Sequence, residues 1–315
     1  MALAGCGGEG DGGTAAESGG SAPGGSGEVT TVRVGAIPIV DVAPLYLGQQ
    51  VGIFEEHGLE VEPFLAQGGA AIVPAVVTGE AQFGFSNITS LLQAEARNIP
   101  LGLVAPGPGA TGDPADDFAA VIVAADSPIQ DAADLAGRTV AINSINNISD
   151  TVVRETVRQA GGDPESIRFT ELAFPNMPAA VAGGQVDAAF AVEPFATVGE
   201  SQGLRAVASP YTQTDPDLSV AGYFTSDAYA AENPEIVQQF ADAMRESQQY
   251  ALDNPEEVRD VLGTYTEIAP EVAAELTLPN FQTEINREAV QKLLDLGVAD
   301  GIIPDGVDLA NIFVE

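Results

Sequence analysis

Residues 32–65 read VRVGAIPIVDVAPLYLGQQVGIFEEHGLEVEPFL, and this stretch decides the fold class. It begins with a β-branched segment, residues 32–37, which predicts a strand. Pro44 then opens a predicted helix that ends at Gly58. From residue 59 to residue 65, apolar residues alternate with mostly acidic ones, which predicts a second strand. A strand, a helix and a second strand in succession indicate an α/β fold.

The rest of the chain continues this alternation. Near its end, Asn233 and Asn254 each precede a proline, so each asparagine is predicted to cap a helix with its side chain. Together the patterns predict α/β layers with mostly parallel sheets. Further strands are predicted at residues 83–86, 101–105, 119–124, 139–142, 167–172 and 188–192.

An internal repeat adds a second level of organisation. The segment VPAVVTG at residues 73–79 returns as MPAAVAG at residues 177–183, with the proline and the last glycine at matching places. Each copy leads into an apolar strand, FGFS at residues 83–86 and AAFA at residues 188–191. The repeat therefore predicts two similar lobes, in each of which a helix ends in glycine and is followed by a strand.

The charge is extreme. The chain has 46 acidic and 11 basic residues, a formal net charge of −35, and Lys292 is its only lysine. Nucleic-acid binding is excluded as a function class, because phosphates are neutralised by clustered basic side chains that this chain lacks. An anionic membrane surface would also repel it. Self-repulsion of this size is tolerable where salt screens it, so the charge predicts a high-salt or acid-rich proteome.

The amino terminus carries a modification signal. Leu3-Ala4-Gly5-Cys6 resembles a bacterial lipobox, in which the cysteine thiol is lipidated, and Cys6 is the only cysteine. Ten of the next 22 residues are glycine, which is typical of a flexible tether. Residues 1–28 are therefore predicted to be a lipobox remnant and a tether that hold the protein on the outer face of the membrane. The alternative is an accidental LAGC before a disordered tail.

The sequence lacks the residues that several kinds of catalytic site require. His57 is the only histidine and lies at a predicted helix end, so triads based on histidine have little to build on. Residues 107–112 spell GPGATG, but Asp113-Pro114 follows instead of a helix, so this segment is predicted to be a loop or a lobe crossing. No cofactor, no metal ion and no enzymatic activity are expected.

Six segments together resemble the SsuA/THI5-like (NMT1-like) substrate-binding proteins. This family serves ABC importers of the nitrate, sulfonate, taurine and pyrimidine-precursor group, and the resemblance extends from Val32 to the carboxyl terminus. The segments are VGAIP (34–38), APLY (43–46), GIFEEHGLEVE (52–62), DLAGRTVA (134–141), GQVDAA (184–189) and EPF (193–195).

The resemblance implies the type II periplasmic-binding-protein fold. Two α/β lobes, each a mostly parallel sheet flanked by helices, would be joined by two crossing strands and would close on a ligand in the cleft between them. Lobe 1 is expected at residues 29–117 and 221–315, and lobe 2 at residues 118–220. The implied protein is an extracytoplasmic carrier, expected to be a monomer, that delivers its ligand to an ABC transporter permease.

The resemblance also implies where ligand contacts lie. Loops at the carboxyl ends of strands are the candidates, because these ends meet at the cleft. By position, the predicted ligand-binding residues are Pro38, Ile39, Val40, Asp41, Ser86, Asn87, Asn143, Ser144, Asn146, Asn147, Ser149, Glu193, Phe195 and Tyr223. Phe85, Phe190, Phe195 and Tyr223 are expected either to wall a ligand ring or to pack in the core.

Residues 143–149 read NSINNIS and lie between a predicted strand and a predicted helix. A helix start offers free backbone N–H groups together with side-chain amides and hydroxyls. Simple capping accounts for Ser149 or Asp150 but not for three asparagines, so a role in ligand binding is favoured.

The predicted loops contain no arginine or lysine. A strongly anionic ligand would lack a salt-bridge partner there, whereas Asp41 and Glu193 could accept hydrogen bonds from the N–H groups of a heterocycle or an amine. A neutral or nitrogen-bearing organic ligand is therefore favoured over nitrate or sulfate. The alternative is that Arg138, Arg154 or Arg205 reaches the cleft.

Two other classes of protein remain as alternatives. THI5-like pyrimidine-synthesis enzymes share the implied fold, but their chemistry relies on a histidine- and cysteine-rich site with a pyridoxal-binding lysine. The effector-binding domain of a transcription regulator uses a similar two-lobed fold and follows a basic helix-turn-helix. In this chain a glycine-rich segment stands before the first lobe.

Overall fold

The computed structural model describes residues 29–314. Cys6 and the predicted tether at residues 1–28 lie outside the described residues. Within residues 29–314, none of the helices has the length and apolar character needed to cross a membrane.

Strands and helices alternate along the chain as the sequence predicts. The strands are β1 (Thr30–Ala36), β2 (Leu59–Leu65), β3 (Phe83–Asn87), β4 (Leu101–Pro106), β5 (Pro108–Gly109), β6 (Ala119–Val123), β7 (Thr139–Ile142), β8 (Arg168–Glu171), β9 (Ala188–Val192), β10 (Arg205–Ala208), β11 (Ala221–Ser226) and β12 (Asn280–Phe281). The helices are α1 (Ala43–Val51), α2 (Ile53–Glu56), α3 (Gly69–Val77), α4 (Ile88–Ala96), α5 (Ile148–Gln159), α6 (Met177–Ala182), α7 (Phe195–Ser201), α8 (Pro210–Thr214), α9 (Asp227–Glu232), α10 (Pro234–Asp253), α11 (Pro255–Leu262), α12 (Pro270–Glu275) and α13 (Arg287–Ala299).

Two five-stranded sheets organise the molecule. The first has the order β2-β1-β3-β11-β4 and the second the order β10-β6-β9-β7-β8. In the first sheet β11 runs antiparallel to both of its neighbours, and in the second sheet β6 does so. The other four strands of each sheet share one direction, so the mostly parallel α/β fold is confirmed. The reversed strands are the ones that follow the two crossings between the sheets.

We call the first sheet with α1–α4 and α9–α13 lobe 1, and the second sheet with α5–α8 lobe 2. The repeat seen in the sequence corresponds to α3 followed by β3 in lobe 1 and to α6 followed by β9 in lobe 2. Both β3 and β9 are the middle strands of their sheets. The side chains of Phe83, Phe85 and Phe190 on these strands are fully buried, and each contributes about 1.5–3 kcal/mol by its burial.

The two crossing segments pair with each other. The Ala110 N–H donates to the Leu218 carbonyl at 2.8 Å, and the Val220 N–H donates to the Pro108 carbonyl at 3.0 Å. The GPGATG segment therefore forms a lobe crossing rather than a nucleotide loop. A Cβ atom at Gly109 would lie 2.1 Å from the Nε2 atom of Gln282, so a larger residue there would displace the Gln282 side chain, which accepts the Ser219 hydroxyl.

The first predicted helix is wrong in one respect. It is divided at Gly52, whose φ of 88° is left-handed, so α1 ends at Val51 and α2 starts at Ile53. Glycine adopts this conformation freely because it has no Cβ atom. The predicted helix-capping role of Asn233 and Asn254 is also wrong. Their Nδ2 atoms donate backwards to the carbonyls of Tyr229 and Tyr250.

Candidate ligand cleft

A small cavity lies between the two lobes, at the carboxyl ends of their strands. Its volume is about 20 Å³, room for about one water molecule. A larger ligand can enter only if the two walls move apart. Its lining residues are Ile37, Ile39, Asp41, Phe85, Asn87, Asn143, Asn147, Ile148, Ser149, Phe174, Val192, Tyr211, Val220 and Ala221.

The loop after β1 brings Asp41 to the cavity. The carbonyl of Ile39 accepts the hydroxyl of Tyr265 at 3.1 Å, and the Val40 N–H donates to the carbonyl of Glu193 in lobe 2 at 3.0 Å. These bonds hold the loop, while the Oδ2 atom of Asp41 is buried and has no hydrogen-bond partner. Burial raises the pKa of Asp41 to about 7, against a smaller lowering by its own backbone N–H. Asp41 therefore presents a free acceptor to the cavity.

The end of β3 separates two predicted site residues. Phe85 and Asn87, which are two residues apart, both line the cavity. Ser86 lies between them and does not, because successive side chains of a strand point to opposite faces. Ser86 instead packs against Gly69, where a Cβ atom would lie 2.0 Å from the serine Oγ atom. Asn87 also caps α4, since its Oδ1 atom accepts the Ser90 N–H at 2.9 Å.

The asparagine-rich segment contributes three bonded polar side chains. The Oδ1 atom of Asn143 accepts from the Nδ2 atom of Asn147 at 3.0 Å and from the Oγ atom of Ser149 at 3.1 Å. Asn147 also caps α5 by accepting the Ser149 N–H at 2.9 Å. Ser144 and Asn146 are outside the lining, and Asn146 is exposed. The cluster therefore combines capping with a polar wall of fixed geometry.

Glu193 is predicted to face the ligand, but its carboxylate is already engaged. It accepts the Thr197 N–H at 3.0 Å, the Thr197 hydroxyl at 2.7 Å and the N–H of Thr277 from lobe 1 at 3.2 Å. Burial raises the pKa of Glu193, and these three bonds lower it part of the way. Glu193 is outside the cavity lining. Its acceptor capacity supports the junction of the lobes.

Aromatic rings form much of the apolar wall. Phe85, Phe174 and Tyr211 line the cavity, and of these Phe174 and Tyr211 are missed by the sequence analysis. Phe195 lies parallel to Phe174 with 6.4 Å between ring centroids, and Tyr223 packs edge-on against Phe85 at 5.3 Å. These two predicted residues therefore support the ring-lined wall from outside the lining. Pro38 and Val40 are also outside it.

The electrostatics of the cavity favour hydrogen-bond donors in a ligand. Within residues 29–314, Asp41 is the only carboxylate among the lining side chains, and none of them is lysine or arginine. Arg154 is bonded to Asp150 at 2.6 Å, and Arg205 donates to the carbonyl of Ser127 at 2.9 Å. Arg138 is not part of the lining either. No cluster of metal-ligating side chains occurs in the part of the chain that the structure describes.

The family follows from a comparison with family models. The NMT1/THI5-like model matches residues 39–258. The chain belongs to the NMT1/THI5-like family. The match covers β3, β7 and β9 and every residue of the cavity lining except Ile37, so almost the whole cleft lies within the region that defines the family.

Two curated relatives of this chain are named for different roles. A 4-amino-5-hydroxymethyl-2-methylpyrimidine phosphate synthase from Aspergillus parasiticus is 26% identical over 226 residues, which is 68% of this chain. The aligned region spans 64% of the synthase, less than two thirds of its length. A formylaminopyrimidine-binding protein from Halalkalibacterium halodurans is 22% identical over 254 residues, covering 80% of this chain and 72% of that protein.

Among solved structures, the fold matches that of a sulfonate-binding protein. The alkanesulfonate-binding protein SsuA from Xanthomonas axonopodis pv. citri, bound to MOPS, has a TM-score of 0.75 at 20% sequence identity. The match covers 91% of this chain and 99% of that chain. At this level of identity the likeness establishes the periplasmic-binding-protein fold alone.

Proposed function

We propose that this NMT1/THI5-like protein captures a small, neutral or nitrogen-bearing organic molecule between its lobes and delivers it to an ABC importer permease. The observation that carries the proposal is the buried, unpartnered Oδ2 atom of Asp41 in a cavity lined by both lobes. A ligand N–H group bonded to this atom would satisfy a buried acceptor that is otherwise costly to desolvate.

The composition of the walls supports a flat ligand that carries N–H groups. Phe85, Phe174 and Tyr211 contribute aromatic rings to the lining, and Asn143 and Asn147 contribute amide groups. A sulfonate or nitrate ion would meet the Asp41 carboxylate without a cationic partner in this lining. The walls must separate to admit such a molecule, and closure after entry would bury it on both faces.

A catalytic role is the rival proposal, because two curated relatives are named as synthases. The only histidine and the only lysine of the chain lie away from the cavity. His57 is 2.9 Å from Glu246, and the Nζ atom of Lys292 is 3.0 Å from Asp215. This placement favours binding without covalent chemistry. A transcription regulator is less favoured, because a glycine-rich segment, and not a basic helix-turn-helix, stands directly before the first lobe.

Extracytoplasmic location and lipid anchoring complete the proposal. They rest on the lipobox-like LAGC at residues 3–6 and on the glycine-rich segment that follows. Mass spectrometry of Cys6 after expression in a bacterial host tests them directly. An unmodified Cys6 thiol in that host would contradict the lipid anchor and leave the proposed solute binding unaffected.

A thermal-shift screen in high salt tests the ligand class. The panel contains aminopyrimidines, amidines and other amines against taurine, alkanesulfonates and nitrate. A ligand at about one hundred times its Kd adds roughly 2.7 kcal/mol of stability, which is a shift of several degrees. We expect shifts from nitrogen-bearing molecules, and Asp41→Asn should reduce these shifts by about half or more. Shifts from sulfonates or nitrate alone would overturn the proposed ligand class, and turnover of a bound pyrimidine would establish the enzyme instead.

A further inference from the structure

Helix α13 belongs to lobe 1 but also contacts lobe 2. Its first residue follows Asn286, whose Nδ2 atom donates to the Asp217 carbonyl at 3.0 Å and to the Asp217 carboxylate at 2.8 Å. The Asn286 N–H also donates to the Ser219 hydroxyl at 2.9 Å. Because Asp217 and Ser219 lie in the return crossing, this end of α13 is fixed near the pivot.

The middle of α13 carries the only lysine of the protein. The Nζ atom of Lys292 donates to the Thr214 carbonyl at 2.5 Å and to the Asp215 carboxylate at 3.0 Å. Thr214 is the last residue of α8 in lobe 2, and Asp215 directly follows this helix. A single lysine in a chain of net charge −35 is therefore used to hold one lobe to the other.

The far end of α13 makes a second charge pair across the lobes. Asp300, directly after the helix, pairs with Arg158 on α5 of lobe 2. The Asp300 side chain is 2% exposed and its Oδ2 atom has no partner. Burial raises the pKa of Asp300, and Arg158 lowers it part of the way. The Asp300 carboxylate is therefore kept in a poorly solvated place by Arg158, with a further contribution from Arg154.

These contacts act against a general repulsion. Residues 29–117 and 221–315 carry 29 acidic and 6 basic residues, and residues 118–220 carry 13 acidic and 5 basic residues. Both lobes are thus anionic, and salt screens their mutual repulsion. Within residues 29–314, the two pairs made by α13 and its end are the only ion pairs that join one lobe to the other.

We propose that α13 is an electrostatic strap that makes closure of the lobes depend on ionic strength. The inference rests on the proposed capture of a solute by closure. The contacts of Lys292, which is nearer to the pivot, stay engaged in both states, and the Arg158–Asp300 pair at the far end breaks when the lobes separate. Salt therefore has two opposed effects on closure, because it weakens this far pair and also relieves the repulsion between the lobes.

The test measures lobe separation in the full chain without ligand. Fluorophores are placed on cysteines at Leu65 and Ile145, two exposed residues on opposite lobes, in a Cys6→Ser background. In about 0.1 M salt, where charges act over about 10 Å, Asp300→Asn should lower the ratio of closed to open molecules about two- to tenfold. In molar salt the difference from wild type should shrink to less than about twofold.

Two further variants sharpen the result. Arg158→Gln should open the molecule more than Asp300→Asn does, because it leaves the buried Asp300 carboxylate without its arginine. Arg245→Gln is the matched control, since Arg245 pairs with Asp242 within α10 at 2.7 Å. An Asp300→Asn protein as closed as this control in low salt would overturn the strap. Failure of ligand binding in the wild type would instead overturn the proposed function, which this ligand-free measurement does not involve.

Discussion

The loop of Asp41 in lobe 1 and the junction of Glu193 in lobe 2 make opposite uses of a buried carboxylate. Both groups follow a strand, and both are almost completely buried, at 2% and 4% exposure. The Glu193 carboxylate accepts three hydrogen bonds, whereas the Oδ2 atom of Asp41 accepts none. A position at a strand end is therefore insufficient to identify a ligand contact. The number of protein donors around the carboxylate distinguishes an acceptor that is free for a ligand from one that is already used.

The largest expected effect is on stability. Because Asp41 has a folded pKa of about 7 instead of 3.8, the folded chain keeps a proton between about pH 4 and 7 that the unfolded chain has lost. Its stability therefore falls as the pH rises through this window. Asp41→Asn should raise the free energy of unfolding at pH 8 by about 2–4 kcal/mol, with little change at pH 4, as measured by denaturant unfolding.

Asp126→Asn, at an exposed position of lobe 2, serves as the control for that prediction and should change little. Part of the pH dependence will survive in Asp41→Asn, because burial also raises the pKa of Asp117 to about 6. A destabilised Asp41→Asn protein at pH 8 would mean that the Asp41 carboxylate has partners in the ligand-free molecule.

The second effect is on ligand affinity. Asp41→Asn should weaken a ligand that donates N–H groups about 10- to 100-fold at pH 8, because a hydrogen bond to a charged group contributes about 1.5–3 kcal/mol. Glu193→Gln should change affinity less than about threefold. Calorimetry on both variants tests the contrast, and the reverse ranking would assign ligand recognition to Glu193.

The third effect is a loss of stability, whereas the first is a gain. Glu193→Leu removes the acceptor of the Thr197 and Thr277 N–H groups, so the free energy of unfolding should fall by about 1–2 kcal/mol. Glu200→Gln, at an exposed acid near the end of the following helix α7, is the matched control. Denaturant unfolding in the same salt measures both. If Glu193→Leu were as stable as the control, the interlobe bonds of Glu193 would be energetically neutral.

The smallest effect concerns the polar wall of lobe 2. Asn147→Ala removes the cap of α5 and one bond to Asn143, so stability should fall by about 1 kcal/mol. Asn146→Gly is the control, because Asn146 is exposed and its φ of 57° suits glycine. Thermal unfolding distinguishes the two variants. Equal stability would show that Asn147 has no capping function in solution.

The sequence predicts the architecture well because strand and helix patterns are local. The repeat at residues 73–79 and 177–183 correctly indicates two lobes, since each copy precedes the middle strand of a sheet. The break at Gly52 is also local, but a single glycine inside an apolar pattern does not reveal that its φ is positive.

The site is predicted less completely, because its details depend on distant partners. Strand ends correctly bring Asp41 and Asn147 to one cavity, and the same rule applied after β8 would have suggested Phe174. The role of Glu193 depends on Thr277, which is 84 residues away and gives no signal in the local sequence. Tyr211 likewise reaches the cavity only because of the path of the chain before the return crossing.

The paired crossing has a consequence for how new binding specificities arise. All five strands of the second sheet lie between Ala119 and Ala208, and the chain enters and leaves this lobe side by side where Ala110 bonds to Leu218. In the gene, lobe 2 is thus one uninterrupted cassette. Two crossovers, one at each end of this segment, would exchange the asparagine and tyrosine wall of the cleft and leave unchanged the wall that carries Asp41.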